Sequence, residues 1–188
     1  GGTQTKFGLV ERNGKICFKD SLPTNSGDGA DDLFKRLFSR LEKKKKERKE
    51  ECVINGIGVG APNGNYFKGT IDRPINLGWP TINLHKMLKK FDPAPVRVTN
   101  DANAAAMGEM RFGAARGMKN FIEITLGTGL GSGIIANGEM VYGQHGTAGE
   151  LGHVIVEPDG RKCNCGRRGC LETYASAGGI RRTVFEIM

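Results

Sequence analysis

The chain has 188 residues, 38% of them hydrophobic, with 28 Lys and Arg against 20 Asp and Glu and a formal net charge of +8. A chain of this length buries a core without disulfide support, its 29 glycines follow no G-X-Y period and so exclude collagen, and no stretch approaches the roughly 20 apolar residues that span a bilayer. No signal-peptide pattern opens it, so the expectation is a soluble, cytoplasmic protein.

In chain order, residues 7–10 and 15–19 read as strands joined at Asn13-Gly14, a strong short-range hairpin signal. A helix follows over residues 31–49, capped near Asp28, with Leu33, Phe34, Leu37, Phe38 and Leu41 as its apolar stripe. Its end is the densest positive charge in the chain, yet Lys43, Lys44, Lys45, Lys46, Arg48 and Lys49 are interleaved with Glu42, Glu47, Glu50 and Glu51. No aromatic residue stands among them to stack a base. The run reads as a solvated helix end, and neither nucleic acid nor a membrane is expected as a partner.

Residues 53–59, β-branched and uncharged, predict a buried strand. A short helix over 81–90 and a strand over 96–99 come next, the strand ending on Asn100-Asp101. The alanine-rich residues 102–116 predict a helix. A second series then starts with a strand at 121–126, the glycine-rich turn of residues 127–133, a strand at 134–136, the turn Asn137-Gly138 and a strand at 140–142. Apolar runs alternating with helical ones are the α/β signature. Two α/β domains are expected, residues 1–117 and 118–188, with the long helix as the hinge. Both ends read as cut: Gly1-Gly2-Thr3 as a loop after a strand outside the chain, and residues 184–188 as a helix with neither cap nor stop signal.

The most specific motif is His153 with Cys163, Cys165 and Cys170. Three thiolates and an imidazole are a closed ligand set for structural zinc, and the glycines among them let the backbone turn the sulfurs toward one point. A disulfide reading leaves one cysteine over. Cys17 and Cys52, inside apparent strands, read as small buried hydrophobes. The glycine-rich turns at residues 1–3 and 127–133 each lie beside a strand, where backbone N–H groups and the hydroxyls of Thr3 and Thr128 suit phosphate oxygens. Neither carries the Gly-Lys-Ser/Thr ending of a Walker loop, and the second is followed by a strand where a dinucleotide fingerprint must open a helix. Singly each is as well read as a plain hairpin; together they suggest a clamp on a polyphosphate. Asp101 ends a strand where α/β sheets place ligands and suits a general base for phosphoryl transfer to an alcohol; it suits a helix N-cap equally. Glu150, His153 and Glu172 add polar groups of the kind a polyhydroxylated ligand needs.

Gly1-Gly2-Thr3, the run Asn100-Asp101-Ala102-Asn103-Ala104-Ala105, residues 126–133, Gly149-Glu150-Leu151-Gly152-His153 and Cys163-x-Cys165-Gly166-x-x-Gly169-Cys170-x-Glu172, in that order, resemble the ROK family of sugar kinases and repressors. The resemblance implies an actin-like, ribonuclease H-like ATPase fold of two α/β domains, the second incomplete here. It implies an ATP-dependent hexose kinase, with glucose foremost, in which Asp101 is the general base. Asn100, Glu150, His153 and Glu172 would bind the remaining sugar hydroxyls. His153, Cys163, Cys165 and Cys170 would hold structural zinc, and Gly2, Thr3, Thr128 and Gly129 would meet the phosphates of MgATP. A homo-oligomer is expected of the full-length protein. Asn63 stands where many members have glycine and is expected to touch or reshape the sugar pocket. An acidic residue tied to magnesium would precede residue 1, and much of the adenine site would follow residue 188, so the fragment alone is expected to be inactive. Two alternatives stay open: a sugar-responsive repressor of the same family with a DNA-binding segment ahead of residue 1, and a non-catalytic, zinc-stabilised sugar-binding module.

Overall fold

The computed structural model describes residues 3–47, 52–74 and 77–188, and contacts divide the chain into two units, Gly1–Asn100 and Asp101–Met188. Among the described residues no helix is long and apolar enough to cross a membrane.

The first unit opens with the antiparallel hairpin β1 (Gln4–Val10) and β2 (Ile16–Pro23), its register shifting between Leu9 and Val10. Helix α1 (Gly29–Glu47) begins with Asp31 and Asp32 in its first turn and ends with Lys44, Lys45 and Lys46 in its last, each charge favourable to the helix dipole. The expected stripe is the buried face: Leu33, Phe34, Leu37, Phe38 and Leu41 lie in the core with Leu22, Leu84, Leu88, Val96 and Val98. The Phe38 and Phe91 rings stack at 4.9 Å, and the indole N–H of buried Trp79 donates to the Ser26 carbonyl at 2.7 Å. The end of the charge run, residues 48–51, lies outside the described residues.

Strand β3 (Ile57–Gly60) is shorter than the predicted 53–59, and Val53 is 70% exposed. Its one paired neighbour among the described residues, the parallel strand β7 (Val96–Thr99), offers four residues, so the ladder starts at Ile57↔Val96 and stops at Gly60↔Thr99. Between them a small antiparallel sheet forms from β4 (Gly64–Asn65), β5 (Thr70–Ile71) and β6 (Ile82–Asn83). The predicted helix at 81–90 is therefore only α2 (Leu84–Leu88): Ile82 and Asn83 are spent on pairing with β5, and the Asn83 side chain caps the helix by accepting from the Lys86 N–H.

The second unit starts with α3 (Asp101–Phe112), followed by the antiparallel sheet of β8 (Phe121–Leu126), β9 (Leu130–Ala136) and β10 (Glu139–Met140). Helix α3, expected in the first domain, packs in this unit, because its small residues fit glycines of β9. A Cβ on Gly133 would come within 2.6 Å of the Ala106 Cβ, and one on Gly131 within 3.0 Å of the Ala102 Cβ. Those glycines are also why β9 runs four residues ahead of the predicted start at 134: they are strand residues facing a helix. Helices α4 (Glu172–Ala175) and α5 (Ala177–Ile187) close the unit.

Gly64 is where the loop after β3 crosses the end of β7: the Ala61 N–H donates to the Thr99 carbonyl at 3.0 Å, and a Cβ on Gly64 would run into that same oxygen. Gly64→Ala is expected to lower unfolding stability by about 1–3 kcal/mol, the usual range for forced overpacking, read as a fall in midpoint by thermal or denaturant melting.

Candidate active site and metal centre

Residues 161–170 form a tight knuckle. The Cys163 N–H donates to the Arg167 carbonyl at 2.9 Å, the Gly166 N–H to the Cys163 carbonyl at 3.0 Å and the Gly169 N–H to the Arg161 carbonyl at 2.9 Å. Gly169 has φ 73° and a Cβ there would strike the Glu157 carbonyl, so only glycine closes this turn. The knuckle brings together the donors the sequence singled out: one ligand atom each from His153, Cys163, Cys165 and Cys170 lies within 4.8 Å of every other. The Cys165 and Cys170 sulfurs are 3.6 Å apart, far beyond the roughly 2.05 Å of a disulfide. The Cys163 sulfur is 3.7 Å from His153 Nδ1. Four ligands at about 2.0–2.3 Å from a tetrahedral ion have edges of roughly 3.5–3.8 Å, so the donor set and these two edges fit zinc. Burial pushes the Cys163 thiol up to about 12. Cys165, exposed and bonded first by the Arg167 backbone N–H and then by its side chain, falls to about 6.

Glu172 touches both this knuckle and the glycine-rich turn between β8 and β9. Its Oε1 accepts from the Cys163 thiol at 3.2 Å and lies 3.8 Å from His153 Nδ1, while its Oε2 accepts from the Leu130 N–H at 3.4 Å. The segment before the knuckle is held to β9 by the Ser132 hydroxyl, which donates to the Gly149 carbonyl and accepts from the Leu151 N–H at 3.4 Å. That anchors the 3-10 turn Leu151–His153, which ends on His153 and has Glu150 immediately before it. Glu150 reaches solvent, but protein around it strips hydration and raises its pKa; His153 opposes the rise, and the charges of Asp101 and Glu172 add to it. Glu150, Asp101, His153 and Glu172, spread over 72 positions of sequence from 101 to 172, thus share one electrostatic neighbourhood.

Asp101 is exposed on the first turn of α3, where its Oδ1 accepts from the Ala102 N–H at 3.1 Å, so the N-terminal role and an open carboxylate coexist. Thr128 and Gly129 sit in the turn closed by Leu126↔Leu130, in which the Gly127 N–H donates to the Gly129 carbonyl and the Gly127 carbonyl accepts from Ala177 at the start of α5, both at 3.0 Å. In the first unit, Asn100 directly follows β7, and Thr3 accepts from the Thr24 N–H at 3.0 Å; Gly1 and Gly2 lie outside the described residues. Asn63, with φ 55°, spends its amide N–H groups on the carbonyls of Asp72 at 2.9 Å and Arg73 at 3.3 Å, so it shapes the loop beside β7 through the backbone. Cys17 and Cys52 are only partly buried, and the Cys17 thiol donates to Glu11 at 3.0 Å, which a purely hydrophobic reading did not foresee. Ser132, buried and anchoring the Glu150 segment, was missed; a serine inside a glycine run carries no signal that distinguishes it from turn residues.

Residues 1–186 match the model of the ROK family. The chain is 44% identical over 189 residues to a glucokinase of Halalkalibacterium halodurans, covering 99% of this chain and 57% of that protein. It is 36% identical to a xylose repressor of Caldicellulosiruptor bescii, covering 87% of this chain and 41% of that protein. Among solved structures, a ROK family glucokinase from Streptomyces griseus in complex with glucose and AMPPNP superposes with a TM-score of 0.81 at 36% identity, over 97% of this chain and 57% of that one. The chain therefore spans little more than half the length of the kinases it resembles.

In metal-free protein at pH 7, Cys165, held near 6, is mostly thiolate while Cys163, held near 12, stays protonated. Since the thiolate is the nucleophile, iodoacetamide is expected to label Cys165 well before Cys163, measured by peptide mass spectrometry over time; equal rates would contradict this picture of the knuckle.

Proposed function

This chain belongs to the ROK family and has the actin-like α/β ATPase fold of its sugar kinases, and on that premise we propose that the whole protein is an ATP-dependent hexose kinase with glucose as its foremost substrate. The observation that carries the reading is the gathering of Asp101, His153 and Glu172 around Glu150, a set rich in hydrogen-bond acceptors and suited to a ring of hydroxyls. Asp101, open to solvent at the head of α3, takes the proton from the attacking 6-hydroxyl; proton removal in the transition state by a positioned carboxylate contributes roughly 10²–10⁴ in rate. Glu150, Glu172 and His153 hold the other hydroxyls and fix the approach of the reacting oxygen; Asn100 and Asn63 are proposed as sugar-binding residues on the family resemblance alone. The turn bearing Thr128 and Gly129 receives phosphates of MgATP, where backbone N–H groups offset the charge on the transferring group; Gly2 and Thr3 are proposed as phosphate-binding residues on the family resemblance alone.

His153, Cys163, Cys165 and Cys170 would hold zinc, which supplies rigidity to the knuckle rather than Lewis-acid chemistry. With the cysteines ionised as ligands, Cys163 has no proton to give Glu172, and Oε1 of Glu172 is left to accept from a sugar hydroxyl. With His153 Nδ1 on the metal side, its Nε2–H is a donor for the sugar. Assembly of the whole protein as a homo-oligomer is proposed with this reading, on the family resemblance alone. The likeness to a xylose repressor favours one second reading, a sugar sensor that consumes no ATP.

A coupled ATP-consumption assay of the full-length protein against a panel of hexoses separates the two, and turnover with none of them would end the kinase reading. Asp101→Asn is expected to lower kcat by roughly 10²–10⁴-fold while sugar binding by calorimetry changes little. Elemental analysis of protein purified without added metal is expected to give about one zinc per chain, the stoichiometry of a single closed four-ligand site, with the zinc lost in Cys163→Ser.

A further inference from the structure

Arg161 enters the knuckle from its first residue and leaves it through its side chain. Its carbonyl accepts from the Gly169 N–H, closing the base of the loop, and its own N–H donates to the Tyr174 hydroxyl at 3.0 Å. The side chain, 9% exposed, then crosses to the two closing helices. One terminal nitrogen donates to the carbonyls of Thr173 at 2.8 Å and Gly179 at 3.1 Å, and the other to the Thr183 hydroxyl at 2.9 Å and the Glu186 carboxylate at 2.5 Å. The guanidinium carbon lies 4.5 Å over the centre of the Tyr174 ring. The chemistry uses the forked, planar donor set that arginine has and lysine lacks.

What this fork grips is the short helix that bears Glu172. Helix α4 is four residues long, buries none of them and has no side-chain cap at Leu171. A helix so short gains little from its own hydrogen bonds, so its position is set from outside. Thr173 and Tyr174, the two residues after Glu172, are both held by Arg161. We propose that Arg161 is a positioning residue of the sugar site: it locks α4 to the base of the knuckle and to α5, and thereby fixes Glu172 between the metal ligands and the Leu130 N–H. Its role in catalysis rests on the kinase reading; its role in placing α4 does not.

The test uses full-length Arg161→Ala and Arg161→Lys, compared with wild type by hydrogen exchange and by steady-state kinetics. Both variants are expected to exchange faster over residues 171–176 while β8 and β9 keep their protection, and to raise the KM for the sugar roughly ten- to a hundredfold, as misplacement of a binding group does, with the KM for ATP nearly unchanged. Arg161→Lys keeps the charge without the fork, so a lysine variant that behaves as wild type overturns the proposal. Unchanged exchange over 171–176 overturns it too, as does local loosening with an unaltered sugar KM, which would make Arg161 a stabilising residue only. Should Arg161→Ala fail to fold, the lysine variant decides. A wild type that phosphorylates no sugar removes the kinase reading, and the exchange measurement then judges the placement of α4 by itself.

Discussion

Three sulfurs and an imidazole nitrogen within 4.8 Å of one another are an arrangement that a folded chain does not reach by hydrophobic collapse. Thiolates repel each other, and the buried Cys163 resists ionising at all. The convergence is sustained by backbone: the hydrogen bonds that close residues 161–170, and a glycine at position 169 where any side chain would strike Glu157. A divalent cation bound there would turn repulsion among the sulfurs into attraction, and proton release on binding would couple its retention to pH.

From this centre the rest of the second unit takes its order. Glu172 sits one residue beyond Leu171 and two beyond Cys170, and its two oxygens face opposite ways, toward Cys163 and His153 on one side and toward Leu130 on the other. The turn that Leu130 ends is fastened a second time, where Ala177 donates to the Gly127 carbonyl. The hairpin tip between β8 and β9 is therefore braced by the chain segment that follows the knuckle. On the hexose-kinase reading proposed above, the group that would steady the sugar and the turn that would receive phosphate share a support of one carboxylate and one helix start.

The sequence made some of this legible and hid the rest for identifiable reasons. The cysteine and histidine spacing named the donor set because metal ligation demands particular residue types close together. The apolar stripe of α1 was legible because a helix against a core has only one way to pattern its side chains. Strand β3 was overextended because the β-branched Val53 and Ile54 express propensity, whereas the ladder's length is set by the four residues of β7. The place of α3 was hidden because alanines carry little directional signal; only their fit against Gly131 and Gly133 shows which sheet they serve. Asn63 was expected to touch or reshape a sugar pocket; what its position could not show is that its amide is engaged with Asp72 and Arg73.

Arg161 was the least legible residue of all, since one arginine among Arg161, Lys162, Arg167 and Arg168 has the appearance of surface charge. Composition assigns all four the same value, yet Arg167 leans on Cys165, Arg168 donates to the Gly160 carbonyl at 3.2 Å from an exposed position, and Arg161 is buried in a cage of carbonyls, a hydroxyl and an aromatic face. The net charge of +8 therefore sums residues with unlike work. A charge that has left solvent needs partners for its donors, and the side chain whose two terminal nitrogens find four of them is also the one through which the knuckle reaches α5. The surplus of positive charge contains, at one position, an internal fastener of the knuckle.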